Sequence, residues 1–298
     1  MASREMRNQD RMVLLSAAIR ASVEAGKSIL EVYDTEFDVQ MKEDCTPLTL
    51  ADQRSHEILF HHLQETGIPI LSEEGKDIPY QERREWDLLW IVDPLDGTKE
   101  FIKRNGEFTV NVALVGEGRV VMAVVLAPAA GALFYASSGS GSFKCEGKGS
   151  WYQASPEEIM TRAILLPRSR PHTVPAMKDK PQDAPSRPLV VVGSRSHATP
   201  ELMAFVEEKR RDHKEVDFIS AGSSLKFCLV AEGSADFYPR LGPTCEWDTA
   251  AAQAVVEAAG GAVTTLDGRP LRYNERDTLL NPHFLAFGDP GRDWHRYF

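Results

Sequence analysis

The chain is short of positive charge, has few cysteines and contains no long apolar run. Lysines and arginines number 34 against 44 aspartates and glutamates, a formal net charge of −10 over 298 residues. That balance leaves no basic footprint for a phosphodiester backbone, so polymeric DNA or RNA is not an expected partner. A small anionic molecule remains admissible if bound cations or a few local bases offset the field. No stretch approaches the roughly 20 consecutive apolar residues that span a bilayer, and residues 1–20 lack the apolar core of a signal peptide. These absences predict a soluble, cytoplasmic protein with no integral membrane segment. Peripheral contact with the inner membrane needs no anchor and stays open. Cys45, Cys145, Cys228 and Cys245 lie far apart with no C-x-x-C pair, which argues against zinc and suits a reducing compartment. No internal repeat or low-complexity tract is present, and nothing in the composition fixes the oligomeric state.

What is present is organised in two halves. Apolar residues recur at helical spacing over residues 11–32 and again over 52–64, and a polar segment, 44–49, separates these two predicted helices. Short apolar runs at 68–71 and 88–92 read as buried strands. From Phe108 to Phe143 the pattern alternates and turns at residues 116–118 and 127–131, which predicts an antiparallel meander. Six prolines then fall within residues 167–188, a composition that continues neither a helix nor a central strand. That segment reads as an exposed connection between an α+β half, residues 1–166, and an α/β half, residues 189–298. The second half opens with a strand at 189–192 and a polar loop at 193–197, followed by an amphipathic helix at about 200–211. A small polar loop at 220–224 leads into an apolar stretch at 225–231, and an alanine-rich helix at 248–259 is closed by Gly260 and Gly261.

The chemistry concentrates at the end of the strand at 88–92, where the chain continues Asp93-Pro94-Leu95-Asp96-Gly97-Thr98. Two carboxylates held that close are hard to keep ionised without a cation between them. With Asp52, Glu73, Glu74 and Asp248, each at a strand end or helix start, they make an oxygen-only donor set, which suits magnesium or manganese. An isolated aspartate is more often a helix cap or a solvated surface group. The Asp-x-x-Asp-Gly-Thr spacing after a buried strand favours the metal. Pro94 fixes one backbone angle, Gly97 permits close approach, and the N–H groups of Gly97 and Thr98 at a following helix start suit a phosphate.

Glu73-Glu74, residues 93–98 and Trp247-Asp248-Thr249-Ala250-Ala251 resemble the signature segments of the lithium-sensitive, magnesium-dependent phosphatases, the superfamily of inositol monophosphatase and fructose-1,6-bisphosphatase. Residues 96–108, 193–197 and 222–233 are similar to the 3'(2'),5'-bisphosphate nucleotidase branch. The resemblance runs in order along nearly the whole chain and implies a layered αβαβα sandwich with the active site between the halves. It implies that Glu73, Asp93, the carbonyl of Leu95, Asp96 and Asp248 hold two or three Mg2+ ions, with Mn2+ as a substitute. It further implies that Asp52 and Thr98, with Glu73 near, activate the attacking water. Gly97, Thr98, Ser194, His197, Gly222, Ser223, Lys226, Arg240 and Asp248 would then hold the substrate. The implied reaction removes the 3'-phosphate of adenosine 3',5'-bisphosphate, or acts on 3'-phosphoadenylyl sulfate, within sulfur assimilation and nucleotide recycling, with inhibition by lithium. Two alternatives stand beside it: an inositol or sugar monophosphatase on the same metal site, and a catalytically silent nucleotide-binding protein.

Overall fold

The computed structural model describes residues 8–36, 39–41, 47–147, 151–167, 188–195, 207, 216–292 and 294–295. The prolines within 168–187, His197 and the helix expected at 200–211 fall outside the described residues, apart from helical Glu207.

Helix α1 (Asn8–Tyr33) and helix α2 (Leu50–Gln64) lie where the helical periodicity places them. Between them lies a two-stranded antiparallel ribbon, β1 (Val39–Met41) and β2 (Pro47–Thr49), whose second strand falls in the polar segment 44–49. A seven-stranded sheet follows in the order β3 (Ile70–Ser72), β4 (Leu88–Asp96), β5 (Thr109–Gly116), β6 (Arg119–Ala127), β7 (Ala132–Ser137), β8 (Gly141–Glu146) and β9 (Ile164–Leu165). Strands β5 to β8 form the expected meander. Its first turn places Glu117 and Gly118 at φ 51° and 69°, the doubly left-handed geometry that suits a tight hairpin.

Successive side chains of a strand face opposite sides, and β4 uses this to supply two cores. Trp90 and Val92 pack towards α1 and α2, whereas Leu89 and Ile91 join the core on the other side. That second core contains Ala250, Ala251 and Val255 of an alanine-rich helix and Phe227 and Val230 of a shorter one. Burying each Val, Leu or Ile side chain contributes roughly 1.5–3 kcal/mol. Short helices α3 (Tyr80–Arg83), α4 (Thr98–Ile102) and α5 (Pro156–Arg162) complete this half.

Residues 189–287 build a five-stranded sheet in the order β11 (Val216–Ala221), β10 (Leu189–Ser194), β12 (Phe237–Arg240), β14 (Phe284–Phe287) and β13 (Ala262–Thr265). Helices α6 (Leu225–Ala231) and α7 (Glu246–Ala258) pack between the two sheets. The far face of the five-stranded sheet carries its own core, where Trp294 stacks on Phe237 with ring centroids 4.9 Å apart. Four of the expected layers are thus seen in order, helices, sheet, helices, sheet.

Three expectations need correction. Ser220 and Ala221 belong to β11, and Gly193 and Ser194 to β10, rather than to loops, because their backbones pair with one another in parallel. The strand expected at 88–92 runs on to Asp96 through a register shift between Asp93 and Asp96. The shift spans Pro94, which has no N–H to give the ladder. In a regular strand, residues three apart face opposite sides. The irregularity turns Asp93 and Asp96 to one cavity.

Candidate active site

That cavity, of about 570 Å3, is lined from the first half by Glu73, Asp93, Leu95, Asp96, Gly97 and Thr98, and from the second by Ser194, Ser223, Lys226, Arg240 and Asp248. Apart from Asp96, the acids are placed by their own or neighbouring elements. Glu73 follows β3 and its N–H donates to Val92 of β4 at 3.1 Å. The Leu95 N–H donates to Asp93 Oδ1 at 3.0 Å, so the tight turn itself fixes that carboxylate. Asp248 is the third residue of α7, where its Oδ2 accepts from the Cys245 N–H at 2.8 Å. Asp52 occupies the same position in α2, in a capping box in which its Oδ2 accepts from the Thr49 N–H at 2.7 Å.

Asp52 does not itself line the cavity. It reaches it through Thr98, whose hydroxyl donates to Asp52 Oδ1 at 3.2 Å. The same hydroxyl lies 3.4 Å from the Leu95 carbonyl. Ser55, one turn along α2 from Asp52, donates to the Pro94 carbonyl at 2.7 Å and ties the helix to the aspartate turn.

Burial and mutual repulsion make this wall reluctant to ionise. Asp93 is fully buried, and its carboxyl is pushed well up, first by desolvation and then by Glu73, Asp96 and Asp248. Burial likewise raises Asp96, against the pull of Lys226 and of a hydrogen bond from the Ser224 N–H. Asp248 is raised by burial and then by Asp96. Burial raises Asp52 too, opposed by its bonds from Thr49.

Do these residues fit a divalent cation? Asp93 Oδ2 is buried and has no hydrogen-bond partner, an expensive state for a carboxylate oxygen and one that a cation would relieve. Among the described residues no three His, Cys, Asp or Glu side chains close around a point as a ready-made cage. Magnesium does not require one, since it keeps several waters and takes one or two carboxylates directly. An acidic wall with an orphaned oxygen fits it.

The opposite rim is cationic. Lys226 is buried, and its amine donates to the carbonyls of Ser223 and Ala221 and sits 5.5 Å above the ring of Tyr238. Burial lowers it to about 8, against the opposing pull of Asp96. Arg240 donates to the Pro243 carbonyl at 2.8 Å and keeps a buried Nε without a hydrogen-bond partner. Ser194 and Ser223 line the same cavity.

Gly222 lies beneath the rim rather than on it. A Cβ there would meet Glu100 Cγ and the Glu107 carbonyl at 2.7 Å. Gly97, at φ 93°, is packed in the same way, and a Cβ would come within 3.3 Å of Ser223 Cβ. The two glycines let the halves touch directly at the cleft.

Sequence reasoning missed three residues here. Glu107 accepts from Arg195 Nε and Nη2 at 2.6 and 2.7 Å and from the Gly222 N–H at 2.9 Å, tying the first half to both loops of the second. Its partners are more than 80 positions away, so no local signal announces them. Asn111 approaches Asp96 at 3.5 Å and accepts from Ser224, which in turn bonds Thr109. Two polar residues in an otherwise apolar strand were the available signal.

A layered α+β fold whose cleft sets an acid wall against a buried lysine defines a class of phosphatases. A model of the inositol monophosphatase family matches residues 10–287, and the chain belongs to that family. It is 41% identical over 276 residues to the 3'(2'),5'-bisphosphate nucleotidase CysQ of Shigella flexneri, covering 91% of this chain and 98% of the relative. The crystal structure of CysQ from Bacteroides thetaiotaomicron matches with a TM-score of 0.77 at 43% identity, covering 92% of this chain and 97% of that one. An inositol monophosphatase of Thermotoga maritima shares the fold, with a TM-score of 0.65 at 23% identity over 91% and 90% of the two chains.

Proposed function

We propose that this chain is a magnesium-dependent 3'(2'),5'-bisphosphate nucleotidase that converts adenosine 3',5'-bisphosphate to AMP and phosphate. The observation that supports it best is the cavity in which the wall of Glu73, Asp93, Asp96 and Asp248 faces Lys226 and Arg240. Relatives at 41% identity carry the same activity in their names. The four acids and the Leu95 carbonyl would hold two or three ions, Mg2+ or Mn2+. Bound there, divalent ions supply an acidified water and charge for the entering and leaving oxygens of an in-line displacement.

The remaining steps belong to the chain's own side chains. Thr98 Oγ1 takes a proton from the attacking water as its own hydroxyl proton passes to Asp52 Oδ1. Burial raises the proton affinity of Asp52 and suits it to accept. Lys226 and Arg240 bind phosphate oxygens, and Ser194, Ser223 and the backbone at Gly97 position the ester. His197, beyond the described residues, would stack on the base. Among the described residues no helix is long and apolar enough to cross a membrane. A cytoplasmic location, with any contact at the inner membrane peripheral, belongs to the same proposal.

Initial rates on adenosine 3',5'-bisphosphate, 3'-phosphoadenylyl sulfate and inositol 1-phosphate in magnesium, with and without lithium, test the proposal. The bisphosphate is expected to have the highest kcat/KM, with lithium inhibiting. A preference for the inositol ester would overturn it.

A further inference from the structure

A second cavity, of about 790 Å3, shares no lining residue with the first. Its walls carry Arg119, Arg269, Arg272, Arg276 and His283, against only Asp267 and Glu275. In a chain of formal charge −10 this is a local reversal of sign. Two of the arginines are neutralised within the wall, Arg269 by Asp267 and Arg272 by Glu275, each at 2.7 Å. Arg276 is paired only loosely, its Nη2 making no hydrogen bond and lying 3.9 Å from Glu246 Oε1. The side chains of Arg119 and His283 make no hydrogen bond and no close ion pair among the described residues, although Arg119 feels the field of Glu257. Guanidinium groups gathered on one cavity, Arg119 without a side-chain hydrogen bond and Arg276 only loosely paired, are what a tetrahedral oxyanion recognises.

The segment that walls this cavity also holds the start of α7. Asn274 donates its N–H to Glu246 Oε2 at 2.8 Å, and the Tyr273 hydroxyl reaches Thr249 at 3.2 Å. Asn281 donates to the Cys245 carbonyl at 2.7 Å and to Thr249 at 2.9 Å. Thr249 and Asp248 line the acidic cleft. One face of residues 271–283 therefore meets the second cavity, while the other fixes the helix end that carries Asp248.

We propose that this cavity is a binding site for a small phosphate- or sulfate-bearing anion, and that its occupancy is transmitted through residues 271–283 to the start of α7. Binding here does not depend on the reaction assigned to the acidic cleft.

The test titrates the full chain, freed of divalent ions, with inorganic phosphate and separately with inorganic sulfate, following heat of binding and amide hydrogen exchange. Wild type and Lys226→Gln are expected to bind equally, with exchange slowed over 265–283 and 244–249. Arg119→Glu and His283→Ala replace exposed side chains that make no hydrogen bond, and an unchanged Tm without anion verifies that both fold. Arg119→Glu should weaken binding about tenfold or more, and His283→Ala less. Stronger binding of phosphate than sulfate, or the reverse, identifies which kind of ligand the site takes. Absence of saturable binding at millimolar anion would overturn the proposal. So would binding lost in Lys226→Gln but kept in Arg119→Glu, or protection confined to the acidic cleft.

Discussion

The two rims of the cleft are built differently. On the acid side the carboxylates sit in and at the end of β4, just after β3 and at the third position of two helices, and four accept from backbone N–H groups: Asp93 from Leu95, Asp96 from Ser224, Asp248 from Cys245 and Asp52 from Thr49. On the cationic side the proposed substrate-binding groups hang on carbonyls of the second half, Lys226 on Ala221 at the end of β11 and on Ser223, and Arg240 on Pro243, and Glu107 braces this side across the cleft. Donors of backbone N–H bonds place charge to within a bond length whatever the ligand. Carbonyl anchors and a cross-cleft ion pair set a shape that can be retuned. Under the proposed function, the acid rim carries the metal chemistry and the cationic rim the choice of substrate.

The sharpest way to break that contrast is Asp93→Asn. Activity should fall by about 10²–10³ or more, as for loss of one preorganised charge-stabilising group. Because the substitution removes a buried, repelled carboxylate, Tm without metal should rise by about 2–4 °C per kcal/mol gained. A fall in both quantities would mean that Asp93 is structural.

Thr98→Val comes next, with kcat expected to drop by roughly 10²-fold at nearly constant KM, the share typical of one positioned proton-transfer group. An unchanged kcat would remove Thr98 from the water-activating pair.

Lys226→Gln tests the other rim. Losing a charge-assisted bond worth about 1.5–3 kcal/mol should raise KM by about 10- to 100-fold with little change in kcat. The wild-type lysine, lowered to about 8 by burial, is charged below that pH and neutral above it. KM should therefore climb as pH passes through 8 in wild type and stay flat there in the variant. A climb that persists in Lys226→Gln would assign the titration elsewhere.

The smallest effect belongs to Glu107→Gln. The Arg195 side chain is 44% exposed, so solvent screening limits the pair to about 1 kcal/mol. KM for a nucleotide bisphosphate should rise about fivefold, with turnover of a simple aryl phosphate unaffected. Equal losses on both substrates would show that Glu107 supports the whole cleft rather than the nucleotide loops.

The same contrast explains what could be read from the chain before folding. The acid rim was legible because its determinants are local: an apolar run, then Asp-Pro-Leu-Asp-Gly-Thr, or a helix start with an acid at its third position. The meander was legible for the same reason. The burial of Lys226 was not, because it depends on Tyr238 and on α6 being packed between two sheets. Neither was the Glu107–Arg195 pair, formed between segments 88 residues apart. Residues 220–221 misled because small side chains running into Gly222 signal a turn, while the backbone pairing that overrides them is supplied by a distant strand.

Asp52 divides one carboxylate between two tasks, since Oδ2 closes the capping box of α2 while Oδ1 accepts from Thr98. Asp248 likewise belongs to the capping of α7 as well as to the acid wall. A descendant that lost the reaction would still be selected to keep both acids, because helix starts need them. Their presence in a related chain is therefore weak testimony of catalysis. If Thr98 activates water as proposed, its loss would mark a chain that has fallen silent, since the helix caps do not need its hydroxyl.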